Sequence, residues 1–230
     1  MSDKELVEES KHDEQVIAKA KNFWDRYNKQ ILIVSALIIV AVGGYYLYNN
    51  FVSKPNETKA AEAIWKAEDY YRKDSVNLAL NGDGANWGFL RVIDKYGGTA
   101  AGNLAYFYAG SCYIKLNENE KAVKFLNKFS TDSKPVQAKA YKLLGDAYGD
   151  LGKNSDALSN YKKAARHFTK DDVASAEYLF SAAYFADRVM KDNKEAISLY
   201  KELKEKFPKS QQAADADNFL AQLGEYNTTN

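Results

Sequence analysis

The sequence predicts an all-α chain: a single transmembrane helix followed by a helical solenoid of about three to four helix pairs, closed by a C-terminal capping helix. Three observations lead there. Proline is scarce, at 3 of 230 residues, while Ala, Leu, Lys and Tyr are abundant, which favours long helices over turn-rich sheets. Ile31 to Tyr48 is a run of 18 residues without a charge. At about 1.5 Å per residue such a run reaches roughly 27 Å, close to the hydrocarbon thickness of a bilayer. Beyond it, small and aromatic residues recur at fixed offsets with a period near 35.

Taken in order, residues 1–29 are a polar tail with six basic side chains up to Lys29 against seven acidic ones. Ala20, Phe23, Trp24 and Tyr27 follow Val16 at spacings of three and four, so residues 14–28 suit an amphipathic helix lying along headgroups. Residues 30–53 are read as a retained anchor. A cleaved signal needs a short basic leader, whereas this leader is acidic, and Tyr45, Tyr46, Leu47 and Tyr48 carry the apolar character past Ala41-Val42-Gly43. A buried core helix of this length would show a polar face, and before the tyrosines only Ser35 is polar. The tyrosines fit an aromatic belt at one interface, with Trp24 and Tyr27 at the other. Four Lys/Arg precede the span within 12 residues and two follow it, which places the N-terminus in the cytoplasm and the later domain in the periplasm of a single-pass inner-membrane protein. Residues 54–57 are expected as a linker.

The run Tyr141-Lys142-Leu143-Leu144-Gly145-Asp146-Ala147-Tyr148, followed by Ala157, Tyr161 and Ala164, places small residues where two antiparallel helices approach. Gly110, Tyr113 and Ala122 precede Gly145, Tyr148 and Ala157 by 35 residues each. A further unit uses Tyr178, Ala182, Phe185, Ala196, Tyr200 and Leu203. Its anchors lie 37 and 39 residues on, so about two extra residues are expected in its inner loop near Lys191 to Asn193. Upstream, a degenerate unit is expected, with a first helix from about Thr58 to Tyr71 and a second containing Ala85, Phe89 and Val92. Ser75 to Gly84 is too long for a tight turn between them. Ser210 to Gly224 supplies the capping helix, and residues 225–230 a tail.

These spacings resemble the tetratricopeptide repeat, over about residues 58–224. The layout of short N-terminal segment, one span and exported repeats is similar to the YfgM family of ancillary subunits of the bacterial SecYEG translocon. That resemblance implies a place near emerging exported proteins, with the translocon, periplasmic chaperones or exported clients as partners.

Chemistry of its own is not visible in the chain. Cys112 is the single cysteine, which excludes an internal disulfide and a cysteine-based zinc site, and its place between Gly110 and Tyr113 reads as burial. His12 and His167 have no catalytic neighbours at a recognised spacing. Asn81-Gly82-Asp83-Gly84 lacks the later ligands of a calcium loop and reads as a turn. No catalytic, cofactor or metal residues are expected, and the near-neutral field, 32 basic against 31 acidic residues, gives no argument for nucleic acid.

What remains is a surface. Solenoids of this kind bind with the concave face lined by first helices. The groove positions are Leu104, Phe107 and Ser111 in one unit, Lys139, Lys142, Asp146 and Asp150 in the next, and Leu179 and Asp187 in the last. The competing reading has Leu104 and Phe107 packing against the first-unit helix near Trp65. A carboxylate clamp, as in some relatives of this fold, is not expected, because Ser111, Asp146 and Ala183 stand where it needs asparagine. The reading is therefore a non-enzymatic, membrane-anchored scaffold that binds other proteins. Its alternatives are an envelope-assembly or cell-division scaffold and a self-associating structural oligomer.

Overall fold

The structure, a computed structural model, describes residues 3–169 and 171–225, with side chains from residue 17 onward. The chain divides into two compact units, residues 1–55 and 56–230. The first is helix α1, Asp3–Tyr48, ending in a π-helical turn, Asn49–Ser53. The stretch 14–28 is helical, and Ile17, Phe23, Trp24 and Tyr27 are exposed on it; the side chain of Val16 lies outside the described residues. None of the most apolar window of this helix is buried. Among the described residues nothing covers the run, and an apolar run of this length is satisfied by a bilayer or by another apolar surface.

Most of helix α2, Lys54–Arg72, belongs to the second unit. Residues 54–57, expected as a linker, are its first turn, and Glu57 there accepts from the backbone N–H of Ala100 at 2.9 Å. Ser75 to Gly84 contains a short helix, α3 (Val76–Asn81), followed by a turn closed by a bridge between Gly82 and Trp87. Ala85, expected in the second helix, falls in this turn, and α4 starts only at Phe89 and ends at Tyr96. The remaining helices pair as the repeats require: α5 (Ala100–Lys115) with α6 (Asn119–Leu126), α7 (Lys134–Asp150) with α8 (Asn154–His167), and α9 (Asp172–Phe185) with α10 (Asn193–Lys206). Helix α11, Gln211–Gln222, caps the end, with Ser210 accepting from the Ala213 N–H as its N-cap.

Repeat identity is clearest in the inner turns. Asn117, Gly152 and Lys191 occupy equivalent places, each with a positive φ (57°, 68° and 57°). In the first two turns a backbone N–H reaches five residues back, Glu118 to Tyr113 and Lys153 to Tyr148, both at 2.9 Å, the bond that closes a helix through a left-handed residue. In the third, Asp192 reaches six back to Ala186 because the extra residues enter a π-helical turn, Ala186–Met190. The additional length thus extends the first helix rather than loosening the loop near Lys191 to Asn193. Lysine in the left-handed region is strained by about 1–2 kcal/mol, partly offset by the greater chain entropy glycine would lose. Lys191→Gly is accordingly expected to stabilise the protein by about 0.5 kcal/mol, raising its melting temperature by roughly 1–2 °C in thermal denaturation.

The core is a relay of overlapping clusters. One joins α2 to α6 through Ile64, Phe89, Val92 and Cys112; a second joins α5 to α7 through Phe107, Leu126, Phe129 and Leu144; the third joins α8 to α11 through Leu179, Leu199, Tyr200 and Leu220. Small residues set the spacing. A Cβ on Gly145 would lie 2.6 Å from ring carbons of Tyr161, and one on Gly110 2.5 Å from Leu126. Tyr161 therefore packs directly on the glycine rather than beside it.

Asp83 holds the α3–α4 turn together. Its carboxylate accepts from Tyr70 Oη at 2.6 Å, from the N–H of Asn86 at 2.6 Å and of Ala85 at 3.0 Å, and from Asn86 Nδ2 at 2.9 Å. The Tyr70 hydroxyl above all, with the Asn86 donors, holds its pKa far below the usual carboxylate range. The oxygens that a calcium ion would need are already committed to these donors. A depressed folded pKa means the turn's contribution is complete above the unfolded value of about 3.9 and fades as pH falls below it. Amide exchange at Ala85 and Asn86 is expected to remain slow at about pH 5 and to accelerate only in stronger acid, whereas Asp83→Ala exchanges fast throughout.

Candidate functional site

The first helices enclose a cavity of about 670 Å³ on the concave side of the second unit. Its walls come from the C-terminal end of α2 (Glu68, Tyr71, Arg72) and the N-terminal halves of α5 (Leu104, Phe107, Tyr108), α7 (Pro135, Val136, Ala138, Lys139) and α9 (Ala174, Ser175, Tyr178), with Phe168 and Asp171 from the preceding turn. The N-terminal halves are open to a ligand because the other halves close on one another. A Cβ on Gly149 would already lie 3.0 Å from the Phe185 ring, and that ring sits 5.5 Å from Tyr161.

The floor is aromatic. Tyr108 stacks on Phe89 at 5.1 Å, and its neighbours Tyr71 and Phe107 lie at 5.1 and 5.6 Å. Burial pushes up both the Glu68 carboxyl and the Tyr108 hydroxyl, and the nearby Glu68 charge raises the hydroxyl further. Arg72 draws the Glu68 pKa back down. At the rim, Lys139 is exposed, and Asp171 caps α9 by accepting from Ala174 N–H at 3.1 Å. The cavity therefore offers apolar and aromatic surface with a few polar groups, the composition of a site for side chains of another molecule.

Of the groove positions read from the sequence, Leu104, Phe107 and Lys139 meet in this cavity. Phe107 is mostly buried and packs on Phe129 at 5.3 Å, whereas Leu104 packs on the cluster that holds Ile64 and Ala67 of the first-unit helix. The others point into the protein's own contacts. Ser111 donates to the Phe107 carbonyl at 3.0 Å. Lys142 pairs with Asp146 at 2.8 Å, and Asp146 also accepts from Tyr161 Oη at 2.9 Å. Asp150 accepts from Asn119 at 3.2 Å. Leu179 is a core residue, and buried Asp187 lies 3.0 Å from Arg188 Nε. Repeat spacing does not single out Tyr108 or Phe168 for the groove, and it gives Tyr178 only as an anchor of the third unit. An aromatic residue at a groove-facing position is the signal that identifies Tyr178.

Cys112 is fully buried, and burial pushes its thiol up to about 12, which leaves no reactive thiolate near neutral pH. His167 packs edge-on to Tyr141 at 5.4 Å. Among the described residues no group of His, Cys, Asp and Glu gathers to hold a metal.

Comparison with known proteins agrees with this architecture. A tetratricopeptide-repeat family model matches residues 104–132 and 177–210, the α5–α6 and α9–α10 pairs with their flanking turns. The crystal structure of MamA protein is similar at 18% identity, covering 74% of this chain and 85% of that one, with a TM-score of 0.50. At that identity the likeness speaks to fold alone. No curated protein matches the sequence. The chain thus carries tetratricopeptide repeats within an all-α solenoid.

Proposed function

We propose that this chain is a membrane-tethered scaffold that captures an apolar segment of another protein in the concave cavity. The cavity itself carries the reading: four first helices converge on one aromatic-floored pocket whose described lining is mainly apolar and aromatic. The apolar run supports the tethered part of the reading. Residues 31–48 are apolar and unburied, and a span confines scaffold and partner to one membrane, raising the effective concentration of a weak contact. The charge asymmetry across the span supports a periplasmic solenoid. A position beside the SecYEG translocon, like that of the YfgM family, is the most concrete form of this reading, with exported clients or chaperones in the cavity. Its support is layout and the repeats.

The test is photo-cross-linking in native membranes from a photoreactive residue at Leu104 or Lys139, both lining the cavity. Adducts to translocon subunits, chaperones or exported chains are expected. Adducts only to other copies of this chain would replace the reading with self-association. A reporter active only outside the cytoplasm, fused after Asn230, is expected to be active; a stable, inactive fusion would reverse the orientation.

A further inference from the structure

The second helices differ in charge from the rest of the solenoid. Segments 118–128, 153–167 and 191–209 hold 13 Lys/Arg against 7 Asp/Glu, whereas the remainder of 58–225 holds 12 against 16. The near-neutral total conceals this separation. The imbalance is greatest on 153–167, with four basic residues against Asp156 alone.

That segment is α8, and its exposed side forms one wall of a shallow depression of about 670 Å³. Ser155, Ser159, Lys162, Lys163, Arg166 and His167 line it, together with apolar Leu158 and Met190, and no carboxylate does. Glu195 holds Lys162 at 2.5 Å and Glu202 holds Arg166 at 2.7 Å, but both acids belong to α10 and lie outside the lining. An ammonium has three N–H donors and a guanidinium five, so each keeps donors for a further oxygen. Lys163 is exposed and makes no ion pair among the described residues; its Nζ lies 6.0 Å from the centre of the Tyr141 ring. Fixed cations, serine hydroxyls and an apolar edge together match a phosphate diester that carries hydrocarbon.

We propose that the exposed face of α8 docks on anionic phospholipid headgroups of the membrane that holds the anchor. The proposal rests on the tethered reading, since a solenoid joined to a span is kept within reach of headgroups. Lipid is favoured over nucleic acid because the cations are confined to one short face with an apolar margin, and neither a long basic track nor free aromatic faces accompany them. The Tyr141 face is already covered by Lys163. Docking would turn the solenoid's side toward the bilayer and fix which way the cavity opens.

The test is amine acylation of the full chain in lipid nanodiscs, read lysine by lysine by mass spectrometry. Discs of phosphatidylcholine alone are compared with discs containing about 30 mole per cent phosphatidylglycerol, and each lysine near an anionic surface is worth roughly fivefold in the docking equilibrium. Lys162 and Lys163, which both line the depression, are expected to be protected in the anionic discs, with protection lost in about 0.5 M salt. Lys163→Glu, at an exposed position, is expected to weaken protection of Lys162 at least fivefold while leaving the melting temperature unchanged. Equal labelling in both discs overturns the proposal. Protection by inorganic phosphate in neutral discs, or by a DNA oligonucleotide, would assign the face to that ligand and overturn lipid docking. A chain that enters neither disc fails the tethered reading, and the docking proposal falls with it.

Discussion

Gly102→Ala is expected to destabilise the solenoid by about 3 kcal/mol, the upper end for forcing atoms into a packed site. A Cβ at this position would lie 1.7 Å from the backbone oxygen of Tyr96 and 2.4 Å from its carbonyl carbon. Those are main-chain atoms, which no side-chain rotation can move out of the way. The Tyr96 carbonyl is also held in place, accepting from Thr99 N–H at 2.9 Å and Thr99 Oγ1 at 2.7 Å. Thr99 in turn caps α5 by accepting from Gly102 N–H at 3.0 Å. Any shift that admits a methyl group therefore breaks the cap and moves α5 away from α4. Thermal denaturation should show a drop of roughly 6–12 °C. Gly98→Ala is the control: a Cβ there meets nothing within 4 Å, and little change is expected.

Ala174→Trp is expected to abolish partner capture without unfolding the protein. Ala174 is half-buried on the first turns of α9 and lines the cavity, so an indole there occupies the space a partner side chain would enter. Cross-linking from Lys139 should fall about tenfold or more, equivalent to at least about 1.4 kcal/mol of lost binding. The melting temperature should stay within a few degrees, because the new ring fills open volume. Capture that persists at full yield in the Ala174→Trp protein would show that the partner binds elsewhere on the solenoid.

The repeat units are legible in the sequence because their signal is steric. Gly110, Gly145, Ala122 and Ala157 recur at one spacing wherever two helices must approach closely, and tyrosine or leucine fills the gap opposite. The first unit is harder to read. Its second helix loses Ala85 to a turn organised by Asp83, whose partners Tyr70 and Asn86 are distant from any repeat position. The first turn of α2 is hidden because Lys54, Pro55, Asn56 and Glu57 look like loop residues, yet they are helical and follow directly on the π-helical turn Asn49–Ser53. The groove is half legible. Counting one face of α7 gives Lys139, Lys142, Asp146 and Asp150 equal claims. Only three dimensions show that Phe185 closes over the C-terminal half and that Tyr161 takes Asp146 for itself. Charge separation escapes the whole-chain count for a simpler reason: opposite local excesses cancel.

The overlapping cores carry an elastic consequence. The clusters of α2–α6 and α5–α7 share several flanking side chains, Leu104, Tyr108, Ile114 and Val123 among them, whereas Tyr148 is what the α5–α7 and α8–α11 clusters have in common. Tyr148 is not the whole of that junction: Gly145 packs on Tyr161 and Asp146 accepts from its hydroxyl, which ties α7 to α8. The cavity takes walls from α2, α5, α7 and α9 at once. A partner seated in it would act as a wedge that sets the spacing of all four, and hydrogen exchange in the turns that line it should slow when the cavity is filled.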